Sequence, residues 1–272
     1  MSNKRKIYIH CGAPKTGTSS LQQFLFENFS QGKQKDFLYP SPRHYGKFAA
    51  PAHHHLRLQA GDSHFDHFGK LFAEIRSEEN QAKDIVLSSE IFFWRANGKE
   101  SEFAYFDEFL KGAQQYFDVF FVYYLRDIDS HLERLFYELR WSKPHRRTKK
   151  ELKFELFVEQ YLQRGFDWSP VAEFFLNYDF FEDKEVIIRS YDLCDNVVSD
   201  FLSVIGCDFD YSANSPKTLN RTPSSAKDAF IFATGQKERL ADMTKPIIEK
   251  LGNKFNIEKE HLQRLLANLG DT

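Results

Sequence analysis

The sequence predicts an α/β fold with a mostly parallel central sheet flanked by helices, and three observations predict it. Short apolar runs at 7–9, 85–87, 119–125 and 186–188 are strand-length rather than helix-length and read as buried strands. Segments with apolar residues at helical spacing lie between them, the alternation expected of parallel strands joined by right-handed crossovers. No internal repeat, low-complexity tract or break in composition divides the chain, so residues 1–272 read as a single domain.

The first strand, Ile7, Tyr8 and Ile9, runs through His10 and Cys11 into a loop holding Gly12, Pro14 and Gly17. The loop ends in Thr18, Ser19 and Ser20, which open a helix marked by Leu21, Phe24 and Leu25. Strand, glycine loop and helix start are the parts of an anion cradle. The first helical N–H groups lack intrahelical partners, and the helix dipole places positive charge there. Gly17 permits close backbone approach, and Lys15 adds a point charge.

Residues 36–42 form a short strand stopped by Pro40 and Pro42. Residues 43–62 read as a loop carrying His44, His53, His54, His55 and Arg57. Adjacent histidines converge poorly on one ion, and no paired carboxylate or cysteine spacing accompanies them, so no metal is expected. A histidine facing a substrate fits better, since imidazole titrates near neutral pH; a solvated loop is the plainer alternative. Residues 64–80 are helical by Phe68, Leu71, Phe72 and Ile75. Residues 84–90 form a strand that delivers Ser88, Ser89 and Glu90 to the sheet edge where open α/β folds bind ligands.

A helix over 103–116 leads to the strand 118–125, which ends at Arg126 and Asp127, and a helix follows over 128–141. The basic stretch 143–150 reads as a solvated face or as a surface for a polyanionic acceptor. Amphipathic helices follow at 151–164 and 169–178, the second capped by Ser169 with Pro170 after it. Residues 184–189 form a further strand, expected close to the first. A helix over 195–205 stops at Gly206. A polar loop over 207–223 precedes C-terminal helices within 224–269, broken near Pro246 and Gly252.

Bulk composition narrows the function. A hydrophobic fraction of 42% and a charged fraction of 28% are those of a soluble globular protein. The 29 phenylalanines imply an aromatic core. A net charge of −2 gives no global pull toward nucleic acid or anionic membrane, so an anion site has to be local. A polar start, no apolar run near the ~18 residues a bilayer span needs, and three cysteines without metal spacing point to reduced thiols in the cytoplasm. Cys11 is expected to face the core.

Residue order in the loop then decides between phosphate-binding types. A Walker loop carries its lysine directly after the second glycine. Here Thr18 follows Gly17, and the lysine lies inside the loop at Lys15. The run Pro14-Lys15-Thr16-Gly17-Thr18-Ser19 resembles the 5′-phosphosulfate loop of the PAPS-dependent sulfotransferases, bacterial and carbohydrate-type, which have a P-loop nucleotide-hydrolase-like fold. The resemblance implies that the lysine contacts the bridging and sulfuryl oxygens of 3′-phosphoadenosine 5′-phosphosulfate (PAPS). Amides and hydroxyls of Thr16, Gly17, Thr18 and Ser19 would hold the 5′-phosphate, and PAP would leave as product. No metal is implied.

The stretch from Tyr124 to Ser130 resembles the family's 3′-phosphate motif, with Arg126 as the phosphate fork. The family's usual serine eight residues later is here Arg134, while Ser130 lies one turn earlier, so which of the two meets the phosphate stays open. Lys217, Asn220, Arg221 and Ser224 resemble the segment that covers the nucleotide. Ser88-Ser89-Glu90 resembles the strand end of carbohydrate sulfotransferases whose glutamate is the base. A carboxylate in such a cleft can titrate high. His54, with His53 and His55, is the competing base. The acceptor implied is a hydroxyl on a sugar or polysaccharide, with a lipid or small alcohol as alternatives. The rival functions are a P-loop kinase or nucleotide hydrolase, and a catalytically silent nucleotide-binding module. Oligomeric state is not legible.

Overall fold

The computed structural model describes residues 4–13, 15–30, 33–41, 52–53, 66–90, 104–126 and 186–209, with Glu249, Glu260 and Gln263 as isolated helical positions. Within these residues the elements run β1 (Arg5–His10), α1 (Thr18–Phe29), β2 (Phe37–Leu38), α2 (Asp66–Ile75), β3 (Asp84–Ser88), α3 (Ala104–Gln114), β4 (Phe117–Leu125), β5 (Val186–Ser190) and α4 (Val197–Ile205). Short 3-10 turns at Glu78–Asn80 and Tyr191–Leu193 follow α2 and β5. The strands form one five-stranded sheet in the order β2-β3-β1-β4-β5, and every pairing is parallel.

β1 lies at the centre because it is apolar on both faces, as a covered parallel strand must be. Ile7 is in register with Ile85 on one side and Val119 on the other. Alternation sends Tyr8, Val86, Val122 and Tyr124 to one face, where they pack with Leu21, Phe24, Leu25 and Phe29 of α1 and with Val198, Phe201, Leu202 and Ile205 of α4. The aromatic core expected from composition is here: Phe24, Phe29, Phe37 and Phe209 meet ring to ring at 5.3–6.0 Å. Ile7, Ile9, Ile85 and Leu87 take the alternate positions and are fully buried too. Leu71 and Ile75 of α2 and Leu110 and Ala113 of α3 are likewise buried.

Local signals set the ends of α4. Asn196 caps it by accepting from the N–H groups of Val198 and Ser199, and Gly206 closes it in the left-handed region at φ 69°. The structure refines the sequence reading of two elements. The strand over 36–42 shortens to Phe37–Leu38, because Tyr39 donates its N–H to Phe29 at the end of α1 and Pro40 has none to give. The last strand, expected close to β1, lies one strand away from it and pairs with β4, Val186 opposite Phe121 through Ser190 opposite Leu125. Both edges of β1 are already filled by β3 and β4, and apolar content does not encode neighbours. The helices expected at 128–141, 151–164 and 169–178 and the basic stretch 143–150 lie outside the described residues, as do most of the C-terminal helices.

Parallel pairing brings the C-terminal ends of β1, β3, β4 and β5 to one edge of the sheet. His10, Ser88, Leu125 and Ser190 end these strands there, and the residues that follow them build the site.

Candidate functional site

Residues 11–17 connect β1 to α1 through three left-handed turns, at Gly12 (φ 66°), Lys15 (φ 71°) and Gly17 (φ 73°). Glycine tolerates that region; lysine does so only when its surroundings hold it there. The hold is visible. Cys11 and Ala13 donate their N–H groups to the Val122 and Tyr124 carbonyls of β4 at 3.0 and 3.1 Å. The Thr16 hydroxyl donates to the Ala13 carbonyl at 2.6 Å. Arg126 donates from Nη1 to the Lys15 carbonyl itself at 2.9 Å.

Gly17 then occupies the N-cap of α1 and brings no side chain to cap it. The opening N–H groups and the positive end of the helix dipole are thus left for a ligand. Gly17 has no room for a larger residue. A Cβ there would stand 2.8 Å from Val197 Cγ1 and 3.4 Å from the Tyr191 ring. At Gly12 a Cβ would meet Thr18 Oγ1 at 3.1 Å and Glu90 Cγ at 3.5 Å. The Glu90 side chain therefore lies directly against the loop, half-buried, at the end of a strand that does pair with β1.

Of the loop residues expected to hold a phosphate, Lys15 and Ser19 are half-buried, while Thr16 and Thr18 are almost fully buried. The hydroxyls of Thr16 and Thr18 both turn to the Ala13 carbonyl. In this arrangement the two threonines offer an anion their backbone N–H groups, with their hydroxyls engaged inside the loop.

Arg126 ends β4 as the sequence indicated, but its surroundings are closer to the loop than a separate phosphate fork would be. Its guanidinium stacks on Tyr191 at 4.3 Å, and its Nε stands 3.6 Å from an Asp192 carboxylate oxygen. The arginine is only 8% exposed. It therefore ties the left-handed Lys15 to the residues following β5. Tyr191 and Asp192 were missed by sequence reasoning. The rule that ligands gather at the C-terminal ends of parallel strands would have flagged both.

On the β3 side the site rests on a buried polar cluster. His10 Nδ1 lies 2.8 Å from Ser88 Oγ, and Gln22 donates to the same hydroxyl from α1 at 3.2 Å. His10 is wholly buried, and its Nε2 has no hydrogen-bond partner; burial pushes its pKa down to about 3. Tyr39 is buried beside it, its phenol raised well above the usual value by burial, with the Ser88 hydroxyl working the other way. His10, Gln22 and Tyr39 carried no functional signal in the sequence.

His53 belongs to this cluster, not to the solvent-facing site. It is fully buried, with one ring nitrogen on the Ser88 N–H and the other on the Pro40 carbonyl. Both ring nitrogens are thus committed to backbone groups, and neither is turned toward the Gly12 loop. Cys11 faces the core as expected, and burial raises its thiol far above the range of a reactive cysteine. Among the described residues no group of three or more His, Cys, Asp or Glu is placed to hold a metal. No described helix is long and apolar enough to cross a membrane. Pro14, His54, Ser130, Arg134, Asn220 and Arg221 lie outside the described residues.

The site thus presents a lysine, a turn of open amides and a buried arginine around one loop, with a carboxylate against its glycine. Such a set can bind an anion and accept a proton next to it. No family model, curated protein or solved structure matches the chain.

Proposed function

We propose that the chain is a PAPS-dependent sulfotransferase of P-loop-like fold, with further C-terminal helices, acting in the cytoplasm on a hydroxyl of a glycan or a small alcohol. The observation that supports this reading most is the loop itself. It has the shape of an anion cradle, yet its lysine sits at a left-handed turn before Gly17 rather than on the helix after it. A triphosphatase needs the lysine on the helix and a metal ion beside it. A phosphosulfate donor needs neither.

In the proposed reaction the acceptor oxygen attacks the sulfur of PAPS. The bond from sulfur to the phosphate oxygen breaks, and the electron pair leaves with PAP. The acceptor proton passes to Glu90. The amides of Thr16 to Ser19 hold the 5′-phosphate, the Lys15 ammonium neutralises charge on the leaving oxygen, and Arg126 supplies a second cation on the loop's far side. Positioning and electrostatics dominate such transfers, as they do in phosphoryl transfer.

Adenosine 3′,5′-bisphosphate should raise the thermal midpoint, by the equivalent of about 2.7 kcal/mol at a hundredfold excess over Kd, while ATP with Mg²⁺ should not. Stabilisation by ATP–Mg²⁺ alone would turn the reading toward a kinase. Turnover of PAPS with a glycan panel distinguishes an enzyme from a silent binding module. Lys15→Ala should lower kcat by roughly 10²–10³, the usual cost of removing one donor from a developing negative charge.

A further inference from the structure

β3 continues past the point where β2 leaves it. β2 pairs only Phe37 with Asp84 and Leu38 with Ile85. The next residue, Tyr39, turns its N–H to α1, and Pro40 has no N–H to offer a sheet. Among the described residues no strand covers the outer edge of β3 at Ser88. Ser89 donates its N–H to His10 on β1 at 3.0 Å. By alternation along a strand, the Ser88 N–H and carbonyl point the opposite way, to the vacated edge. A buried backbone amide and carbonyl left unpaired there would be costly.

His53 occupies that edge. Its backbone N–H donates to the Ser88 carbonyl at 2.8 Å, and its Nδ1 accepts from the Ser88 N–H at 3.1 Å. One residue supplies both halves of a sheet rung, the donor from its backbone and the acceptor from its ring. The other nitrogen, Nε2, reaches the Pro40 carbonyl at 3.0 Å. The partners fix the tautomer. A backbone N–H can only donate, so Nδ1 is bare; a carbonyl can only accept, so Nε2 carries the hydrogen. The ring is neutral, and it meets the Tyr39 ring in a T-shaped arrangement with centroids 4.5 Å apart.

We propose that His53 is a positioning residue, a side-chain rung that stands in for the missing part of β2 and sets Ser89 and Glu90 over the Gly12 loop. The effect on catalysis rests on the reading of Glu90 as base; the rung itself does not. Contacts of Ser88 and Ser89 with His10 join the two strand ends, but the loop's own bonds run to β4 and Arg126, so loss of the His53 rung should shift the carboxylate and leave the anion site in place.

Three variants of the full chain separate these roles. His53→Asn places an oxygen near the Nδ1 position and can keep the Ser88 bond. His53→Gln reaches only toward the Nε2 position, and His53→Phe offers neither. Amide hydrogen exchange at Ser88, Ser89 and Glu90 should stay slow in the Asn variant and quicken in the Gln and Phe variants. kcat should follow, falling at least about tenfold in Gln and Phe and recovering in Asn, because small misplacements of a reacting group are costly. Kd for adenosine 3′,5′-bisphosphate should be the same in all. Nitrogen-15 spectra of the wild-type chain should show His53 with a bare Nδ1.

Equal exchange in the Asn and Phe variants, or a protonated Nδ1, overturns the rung. Rung-dependent exchange with unaltered kcat overturns the positioning role. A chain without sulfuryl transfer to any acceptor defeats the function proposed above, while exchange and tautomer still decide the rung.

Discussion

The loop between β1 and α1 has two unlike flanks. Toward β3 it meets neutral, hydrogen-bonded groups: His10, Ser88, Gln22 and His53 share a buried cluster, and Glu90 is the acidic side chain that the strand end sets against Gly12. Toward β4 and β5 it meets charge. Arg126 lies between the Lys15 carbonyl, Tyr191 and Asp192, and deeper in, Arg189 pairs with Asp200 at 2.7 Å while Tyr124 donates to the same carboxylate at 2.6 Å. The difference bears on the proposed reaction, which asks one short loop to hold an anion and still sit beside a base. Cations gather on one side. On the other, uncharged groups line the end of the strand that carries Glu90.

The comparison breaks most sharply at Glu90. If the neutral flank carries the base, Glu90→Gln should lower kcat by roughly 10²–10⁴ and leave nucleotide affinity unchanged, as steady-state kinetics and calorimetric titration would show. Full turnover would move the base to the histidine segment, where His54 follows the buried His53. On the charged flank the expected sign is reversed. Arg126→Ala should weaken nucleotide binding by about 10–100-fold, the worth of a charge-assisted hydrogen bond and the loop order it maintains. An unchanged Kd would make Arg126 a packing residue alone.

The smallest effect sharpens the contrast through pH. The folded pKa of His10 is about 3 against an ordinary 6.5, so between these values the unfolded chain binds a proton that the folded chain refuses. Stability from this group is complete above about pH 6.5 and declines as pH falls toward 3, with a slope of up to about 1.4 kcal/mol per pH unit. Denaturant unfolding across that window should show a shallower decline for His10→Phe than for the wild-type chain. Parallel declines would mean that His10 takes up its proton without unfolding.

Much of the scaffold was legible because its signals are local. Buried parallel strands announce themselves as apolar runs, and β1, β3, β4 and β5 lie within a residue or two of where those runs are. Gly12 and Gly17 mark a loop between strand and helix, and they lie between β1 and α1. Gly206 ends its helix as expected. Lateral order was less legible: the neighbour of β5 depends on which edges remain open, a property of the assembled sheet. The site divides in the same way. Lys15, Glu90 and Arg126 could be placed at strand ends from sequence. That Lys15 itself adopts φ 71° could not, since lysine has no preference for it and the cause is an arginine far along the chain. A run of three histidines likewise does not reveal that the first is enclosed while mending a sheet edge.

The most direct test of the central claim is a crystal structure of the chain soaked with adenosine 3′,5′-bisphosphate. The account predicts the 5′-phosphate on the backbone N–H groups between Thr16 and Ser19, with the Lys15 ammonium in contact. A nucleotide bound with its phosphates away from that loop would contradict it.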